Sequence, residues 1–444
     1  MSIVYESTLP ASVEDVFAWH ERPGGFARLL PPWQPMRVVA ETESLGHGEA
    51  VLGLPLGLRW VARHRDCVPE RRFVDDLVLP GLADGRLWSH VHEFEPLGEH
   101  QTRMTDRVTT PVPRALLEAT FAYRHRQLAD DLVAHATARD AGLPPLTVAV
   151  TGSSGLVGSA LVPFLTTGGH RVIRLVRGDP ASEDERRWNP DDPAPDLLDG
   201  VDAVIHLAGA PIAGRFSQAH KRKVRDSRVG PTRRLAKLAA RARPDLRAFV
   251  SASAIGFYGP DRGDEVLTED SEQGDGFIAD LVADWEADTA PAADAGIRTV
   301  RVRTGIVQSP AGGVLQIFRP IFTAGLGGPL ASGRQWMSWI AIDDLLDLYH
   351  RALWDDRLRG PVNGVAPEPC RNEDYTTTLA RVLHRPAVFR VPSLGPRAVL
   401  GAEGAEEFAL ADQRVVPYRL RDLDIGYRHP TLRGALAHVL GKTR

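Results

Sequence analysis

The sequence predicts an α/β fold, a parallel sheet with a smaller C-terminal region, preceded by a separate α+β domain. Three observations carry that expectation. The 444 residues are too many for one compact core. Strand-like runs closed by one long helical pattern occupy positions 1–141, before the Gly and Pro pair of Gly142-Leu143-Pro144-Pro145. From Leu146 onward short apolar runs alternate with helical patterns, and the first is followed at once by a glycine-rich turn.

In the front region Ile3 to Thr8 reads as a strand, and Ser12 is placed to cap a helix with Asp15 at its third position. Leu58 to His64, Arg72 to Val78, Leu87 to Phe94 and Gln101 to Val108 are separated by turn residues, as in an antiparallel sheet. Leu117, Phe121, Leu128 and Leu132 then recur at helical spacing between Pro113 and Arg139, giving an apolar face to lay on that sheet. This order of elements resembles the helix-grip fold of the START-like polyketide cyclase and lipid-binding (SRPBCC) superfamily. The resemblance implies a cavity for a small hydrophobic ligand. His90 and His92 alternate along one strand and so share a face, with His64 on a neighbouring run. No carboxylate stands near them at recognisable ligand spacing, and no metal site is assigned.

In the second region, Leu146 to Val150 is an apolar run of the buried parallel kind. Thr151-Gly152-Ser153-Ser154-Gly155-Leu156-Val157-Gly158 follows, opening a helix from Leu156 to Thr166, with a second strand at Arg171 to Val176. Glycines in that context let the backbone approach a diphosphate whose charge is met by amides at the helix N-terminus. The GxxGxxG spacing resembles the extended short-chain dehydrogenase/reductase superfamily, a Rossmann-type fold. Val201 to Gly209 resembles its fourth strand and turn, Phe249 to Ser253 its fifth, and Trp339-Ile340-Ala341-Ile342-Asp343-Asp344 its late strand-to-helix motif. Ser251 to Gly259, Arg303-Thr304-Gly305-Ile306-Val307, Gly333 to Trp339 and Val362 to Pro367 are together similar to the atypical epimerase-like family of predicted nucleoside-diphosphate-sugar epimerases, over about residues 146 to 444. Gln413 to Pro417 and Tyr427 to Pro430 resemble that family's C-terminal segment, at about 390–440, and some members carry a START-like domain in front.

The resemblance implies a dinucleotide held by Gly152 to Gly158, by Leu207, Ala208 and Gly209, by Ser251 and Ala252, and by Thr304, Gly305, Ile306 and Val307. An acidic residue closing the second strand selects NAD, yet Val176 stands there, with Arg174 before it and Arg177 after it. A guanidinium suits the additional phosphate, so the expected cofactor is NADP.

The superfamily's proton transfer uses a tyrosine and a lysine four residues later. Lysine occurs only at 221, 223, 237 and 442, preceded at that distance by Ser217, Ala219, Arg233 and His438, so no such pair exists. By placement the two positions fall near Phe277 and Leu281. Ser253 remains as a group to orient substrate, Tyr258 as a substitute acid, and Arg334 and Trp336 as substrate contacts; Ala341 replaces the histidine usual in its motif. The expectation is an NADP-binding oxidoreductase or epimerase-like protein for a small molecule, with a non-catalytic NADP-responsive protein as the alternative. A third reading has the front domain deliver a lipid-like ligand.

Composition excludes other classes. A formal net charge of −4 gives no electrostatic footprint for nucleic acid, and the cluster His220-Lys221-Arg222-Lys223 with Arg225 and Arg228 reads as a solvated helix face. Two cysteines, Cys67 and Cys370, make no disulfide framework, and MSIVYESTLP lacks a secretion pattern. No run approaches a membrane span, so the expected location is cytoplasmic.

Overall fold

A computed structural model of the chain describes residues 2–79, 87–242 and 246–443. The chain divides into two compact units, Met1–Pro145 with Val162–His170 and His438–Arg444, and Leu146–Leu161 with Arg171–Ala437.

The first unit is built on strands β1 (Ser2–Leu9), β2 (Arg37–Ala40), β3 (Glu49–Gly53), β4 (Arg59–Val68), β5 (Arg72–Val78), β6 (Ser89–Gly98) and β7 (Gln101–Thr109), with helix α1 (Val13–Glu21) after β1 and helix α2 (Arg114–Asp140) after β7. The strands form one antiparallel sheet in the order β1-β7-β6-β5-β4-β3-β2. As the spacing predicts, the Asp15 amide donates to Ser12 Oγ over 3.2 Å and starts α1. Val16 and Phe17 of that helix pack with Phe73, Phe94 and Met104 from the sheet and Leu128 and Leu132 from α2. Each such side chain contributes about 1.5–3 kcal/mol on burial. Beside this core the sheet lines a cavity of about 650 Å³, with Leu52, Trp60, Leu77 and Leu117 among its walls. The short strands β2 and β3 carry no clear alternation and were not expected.

The second unit contains β8 (Thr147–Thr151), the opening turns of α3 (Leu156–Thr167), β9 (Arg171–Val176), β10 (Glu185–Arg187), β11 (Ala203–His206), α4 (Gln218–Asp226), α5 (Pro231–Ala242), β12 (Ala248–Ala254), α6 (Phe277–Ala287), β13 (Thr299–Thr304), α7 (Ile342–Trp354) and β14 (Gly360–Gly364). The strands lie in the order β10-β9-β8-β11-β12-β13-β14, and every pairing is parallel. Such strands are covered on both faces, which is why β8, β11 and β12 read as unbroken apolar runs: Val148, Ile205 and Phe249 are fully buried. The chain leaves β8 toward β9 and returns at β11 on the other side. A topological switch point therefore opens at the carboxyl ends of β8 and β11, where α/β sheets bind ligands. Short pairs outside the sheet join Asp261–Leu267 to Asp412–Val415 and Ile306–Gln308 to Trp339–Ala341. No described helix is long and apolar enough to cross a membrane.

Candidate functional site

Two glycines constrain the turn after β8. Gly152 has φ +67°, and a Cβ there would stand 2.8 Å from the Leu207 carbonyl carbon and 2.9 Å from the Ala208 nitrogen. Only glycine lets the β8 turn lie against the turn after β11. At Gly158 a Cβ would stand 2.2 Å from the Gly152 oxygen, so the first turn of α3 folds onto the loop only without a side chain. Gly155 is different: its exposed Cβ position meets only the Gly152 oxygen, at 3.3 Å. Ser154 is exposed as well, and the first amides of α3 are the ones a helix leaves without intrahelical acceptors.

A buried hydroxyl binds the two turns together. Thr151 Oγ1 accepts from the amides of Leu207 and Ala208 over 3.0 and 3.1 Å, so its own proton goes to His206 Nδ1, 2.7 Å away. His206 Nε2 then donates to Thr232 Oγ1 over 3.0 Å, and Thr232 donates onward to the Arg228 carbonyl over 2.8 Å. Burial, and Arg228 nearby, lower the His206 pKa to about 4, which keeps the ring neutral in that tautomer. Sequence reasoning missed this relay because its members are far apart along the chain.

Arg228 corrects the reading of a solvated basic face. It is buried at 7% exposure, donates to the Ala210 carbonyl over 2.8 Å and lies over the Trp285 ring at 5.1 Å; burial lowers its pKa to about 10. A Cβ on Gly209 would stand 2.7 Å from its guanidinium carbon, so that glycine makes room for the arginine. Lys221 and Arg225 are also partnered, with Glu403 and Asp284.

The two arginines near the end of β9 part company. Arg174 Nη2 lies 3.2 Å from Glu185 Oε1 and donates to Ser182 Oγ over 3.4 Å. Arg177 is exposed and takes no hydrogen bond or ion pair among the described residues. The nicotinamide-side candidates Thr304, Gly305, Ile306 and Val307 are half-buried on β13 and the strand after it. That segment continues to Gly312, whose Cβ position is 3.0 Å from Leu156 on α3, so it comes back beside the glycine turn.

Ser251 and Ala252 stand on β12 with the His206–Ser251 register across from β11. Two residues on, Ser253 enters a buried polar chain. Its hydroxyl donates to Glu286 Oε1 over 2.6 Å, and Arg303 grips both Glu286 oxygens at 2.8 and 2.9 Å. Arg303 also donates to the Tyr258 hydroxyl over 3.0 Å, and that hydroxyl donates to Asn363 Oδ1 over 2.7 Å. Tyr258 is fully buried, with its pKa raised to about 12, first by burial. It therefore stands as a core group with donor and acceptor both engaged, not as an accessible acid. Phe277 and Leu281, at the expected proton-transfer positions, lie one turn apart on α6, and neither ionises.

Arg334 is exposed. Trp336 is half-buried, donates from Nε1 to Asp264 over 2.9 Å, and lies beneath the guanidinium groups of Arg371 at 4.0 Å and Arg414 at 4.7 Å. Two residues beyond Trp336, the Ser338 carbonyl accepts from the Ile306 amide over 2.8 Å, just past the end of β13.

Residues 148–363 match the model of the NAD dependent epimerase/dehydratase family, and residues 391–439 match a domain of unknown function, DUF1731. Epimerase family protein Mb2239 of Mycobacterium bovis is 43% identical over 295 residues, 66% of this chain and 97% of that one. A crystal structure described as the nucleoside-diphosphate sugar epimerase from Corynebacterium glutamicum is similar over 99% of this chain and 90% of its own, with TM-score 0.85 and 43% identity. Human epimerase family protein SDR39U1, solved with NADPH, covers 66% of this chain and 99% of its own, with TM-score 0.61 and 32% identity.

Proposed function

This chain belongs to the NAD-dependent epimerase/dehydratase family, and from that premise we propose that it is an NADP(H)-binding oxidoreductase or epimerase-like protein acting on a small molecule, a sugar nucleotide being the leading class. The observation that carries this reading is the cradle itself: Gly152 and Gly158 are dictated by backbone contacts, Gly155 is exposed, and the helix N-terminus that follows it suits a diphosphate. Bound there, a nicotinamide dinucleotide supplies reversible hydride transfer. The Thr151 hydroxyl holds the two turns of the cradle together, and Arg177, exposed and without a hydrogen bond or ion pair among the described residues, is a cation for a ribose phosphate. The relative solved with NADPH supports that choice. Ile306 and Val307 supply apolar cover for the ring, Ser253 orients a substrate oxygen once released from Glu286, and Arg334 and Trp336 are the substrate contacts.

The test is calorimetric titration with NADPH and NADH. Arg177→Glu is expected to weaken NADPH binding by about 10- to 100-fold, the loss of one charge-assisted contact, with little effect on NADH. Equal loss for both dinucleotides removes the assignment, and no heat from either removes the whole reading.

A second reading, a non-catalytic NADP-responsive protein, is favoured by one observation: Tyr258 is sealed into the core and Phe277 and Leu281 carry no proton. Turnover then requires a proton from substrate or water, and its absence across sugar nucleotides, carbonyls and quinones selects this alternative. For the front unit we propose the helix-grip architecture and an apolar-ligand role, supported by the cavity of about 650 Å³. Mass spectrometry of ligand released from the purified protein tests it. The chain's proposed location is the cytoplasm.

A further inference from the structure

The front sheet assembles something its sequence conceals. The β5–β6 register sets Asp75 opposite His90, and the β6–β7 register sets Asp106 opposite His92, so four polar side chains from three adjacent strands share the inner face. Asp75 Oδ2 lies 3.2 Å from His90 Nδ1 and 3.2 Å from His92 Nε2. Behind them, Asp106 Oδ1 lies 3.1 Å from His90 Nε2 and 2.9 Å from His92 Nδ1, and Asp106 Oδ2 meets His125 Nε2 of α2 at 2.9 Å. Each imidazole thus has one nitrogen toward Asp75 and the cavity, and the other toward a fully buried carboxylate.

Protons do not suffice for this arrangement when the rings are neutral. Two neutral imidazoles offer two N–H groups for four close nitrogen–carboxylate contacts; His92 Nε2 has hydrogen-bond geometry to Asp75 Oδ2, while His90 Nε2, His92 Nδ1 and Asp106 Oδ1 are buried without a hydrogen bond. One cationic ring brings the N–H groups to three for the four contacts, and making both rings cationic stacks two like charges with ring centroids 3.8 Å apart in the interior.

We propose that Asp75, His90 and His92 bind a divalent transition-metal ion of the zinc and cobalt class, with Asp106 as the carboxylate that orients both histidines. A dication accepts the two lone pairs facing Asp75 and so directs the outer N–H groups toward Asp106, whose Oδ1 lies close to both rings without a hydrogen bond. With neutral histidines, two carboxylates balance the ion. The ligating atoms lie within 4.8 Å of one another, and the two 3.2 Å separations match the edge of about 3.3 Å in a tetrahedron with zinc-like bond lengths. A histidine whose second nitrogen meets a buried carboxylate is the usual outer support of a metal ligand. Three protein ligands leave a coordination position on the cavity side, where a guest with an oxygen donor and an apolar body completes the set.

The experiment uses the full chain, dialysed against chelator and then titrated with Co²⁺ while visible absorption is followed, with Zn²⁺ as competitor. The expected result is one equivalent of Co²⁺ with a tetrahedral spectrum, displaced by Zn²⁺. His92→Gln and Asp75→Asn abolish that uptake, Asp106→Asn weakens it by about 10- to 100-fold, and His100→Gln, at an exposed position, leaves it intact. A folded wild-type chain that takes up no stoichiometric ion overturns the proposal, because the cluster is then a metal-free ion-pair network. Uptake unchanged in both folded ligand variants overturns it equally. Should those variants fail to fold, the wild-type titration together with Asp106→Asn decides.

Discussion

Two parts of the parallel sheet's carboxyl edge, only a strand or two apart, have opposite characters. At the ends of β8 and β11 two glycines let the turns approach, a third glycine is exposed, and a single hydroxyl holds the turns. At the end of β12 the polar groups are turned on one another: Ser253, Glu286, Arg303, Tyr258 and Asn363 satisfy each other in the interior. Binding a nucleotide and moving a proton are separable properties of one fold. This chain has the family's nucleotide-binding fold, and its Ser253 and Tyr258 hydroxyls are held by interior partners.

The sharpest way to break that contrast is at Gly158. Ala there overpacks against backbone, at about 1–3 kcal/mol, and is expected to weaken NADPH binding by up to about 100-fold in calorimetric titration. Ordinary affinity in a folded Gly158→Ala protein refutes the cradle. Next comes Arg303→Met, which strands the buried Glu286 carboxylate and is expected to lower the unfolding free energy by about 3–5 kcal/mol by denaturant titration. Dinucleotide affinity should hardly change; if it falls in step, the two regions are not separable. Ser253→Ala is smaller, about 1–3 kcal/mol for the unmatched partner. Its turnover, measured on folded protein, distinguishes a substrate-orienting hydroxyl from a structural one.

A pH effect is expected at Asp344, buried at the start of α7. Burial first, and Asp347 second, raise its pKa to about 7, while the Arg428 amide donates to it over 2.6 Å. The native state therefore holds a proton that the unfolded chain releases near pH 4. Stability from this group is fullest below that value and declines as pH rises toward about 7. Asp344→Asn should flatten this decline in melting temperature between pH 5 and 8, and an unchanged slope counts against the buried acid.

Much of this was legible along the chain. Periodicity located β5 and β9 at their observed limits, α1 with its cap, and α2 within a residue at each end, because local pattern and burial agree there. The glycine turn was legible because backbone contacts dictate its residue types. Side-chain pairings across the sheet were not. Asp75 and Asp106 join His90 and His92 only through strand register, which no local spacing encodes. Arg228 looked like one of a run of solvated cations, since burial against Trp285 depends on how α4 leads into α5. Glu286 carried no signal at all until β13 brought Arg303 beside it.

Gly155 deserves a separate reckoning. Its neighbours in the turn are glycine because the polypeptide collides with itself otherwise, but at Gly155 a methyl meets one oxygen at 3.3 Å and otherwise open solvent. A selection scored on abundance alone should accept alanine there and reject it at Gly158, while one scored on retention by an immobilised nucleotide should reject both. The gap between those two survival maps isolates the guest's imprint on the host.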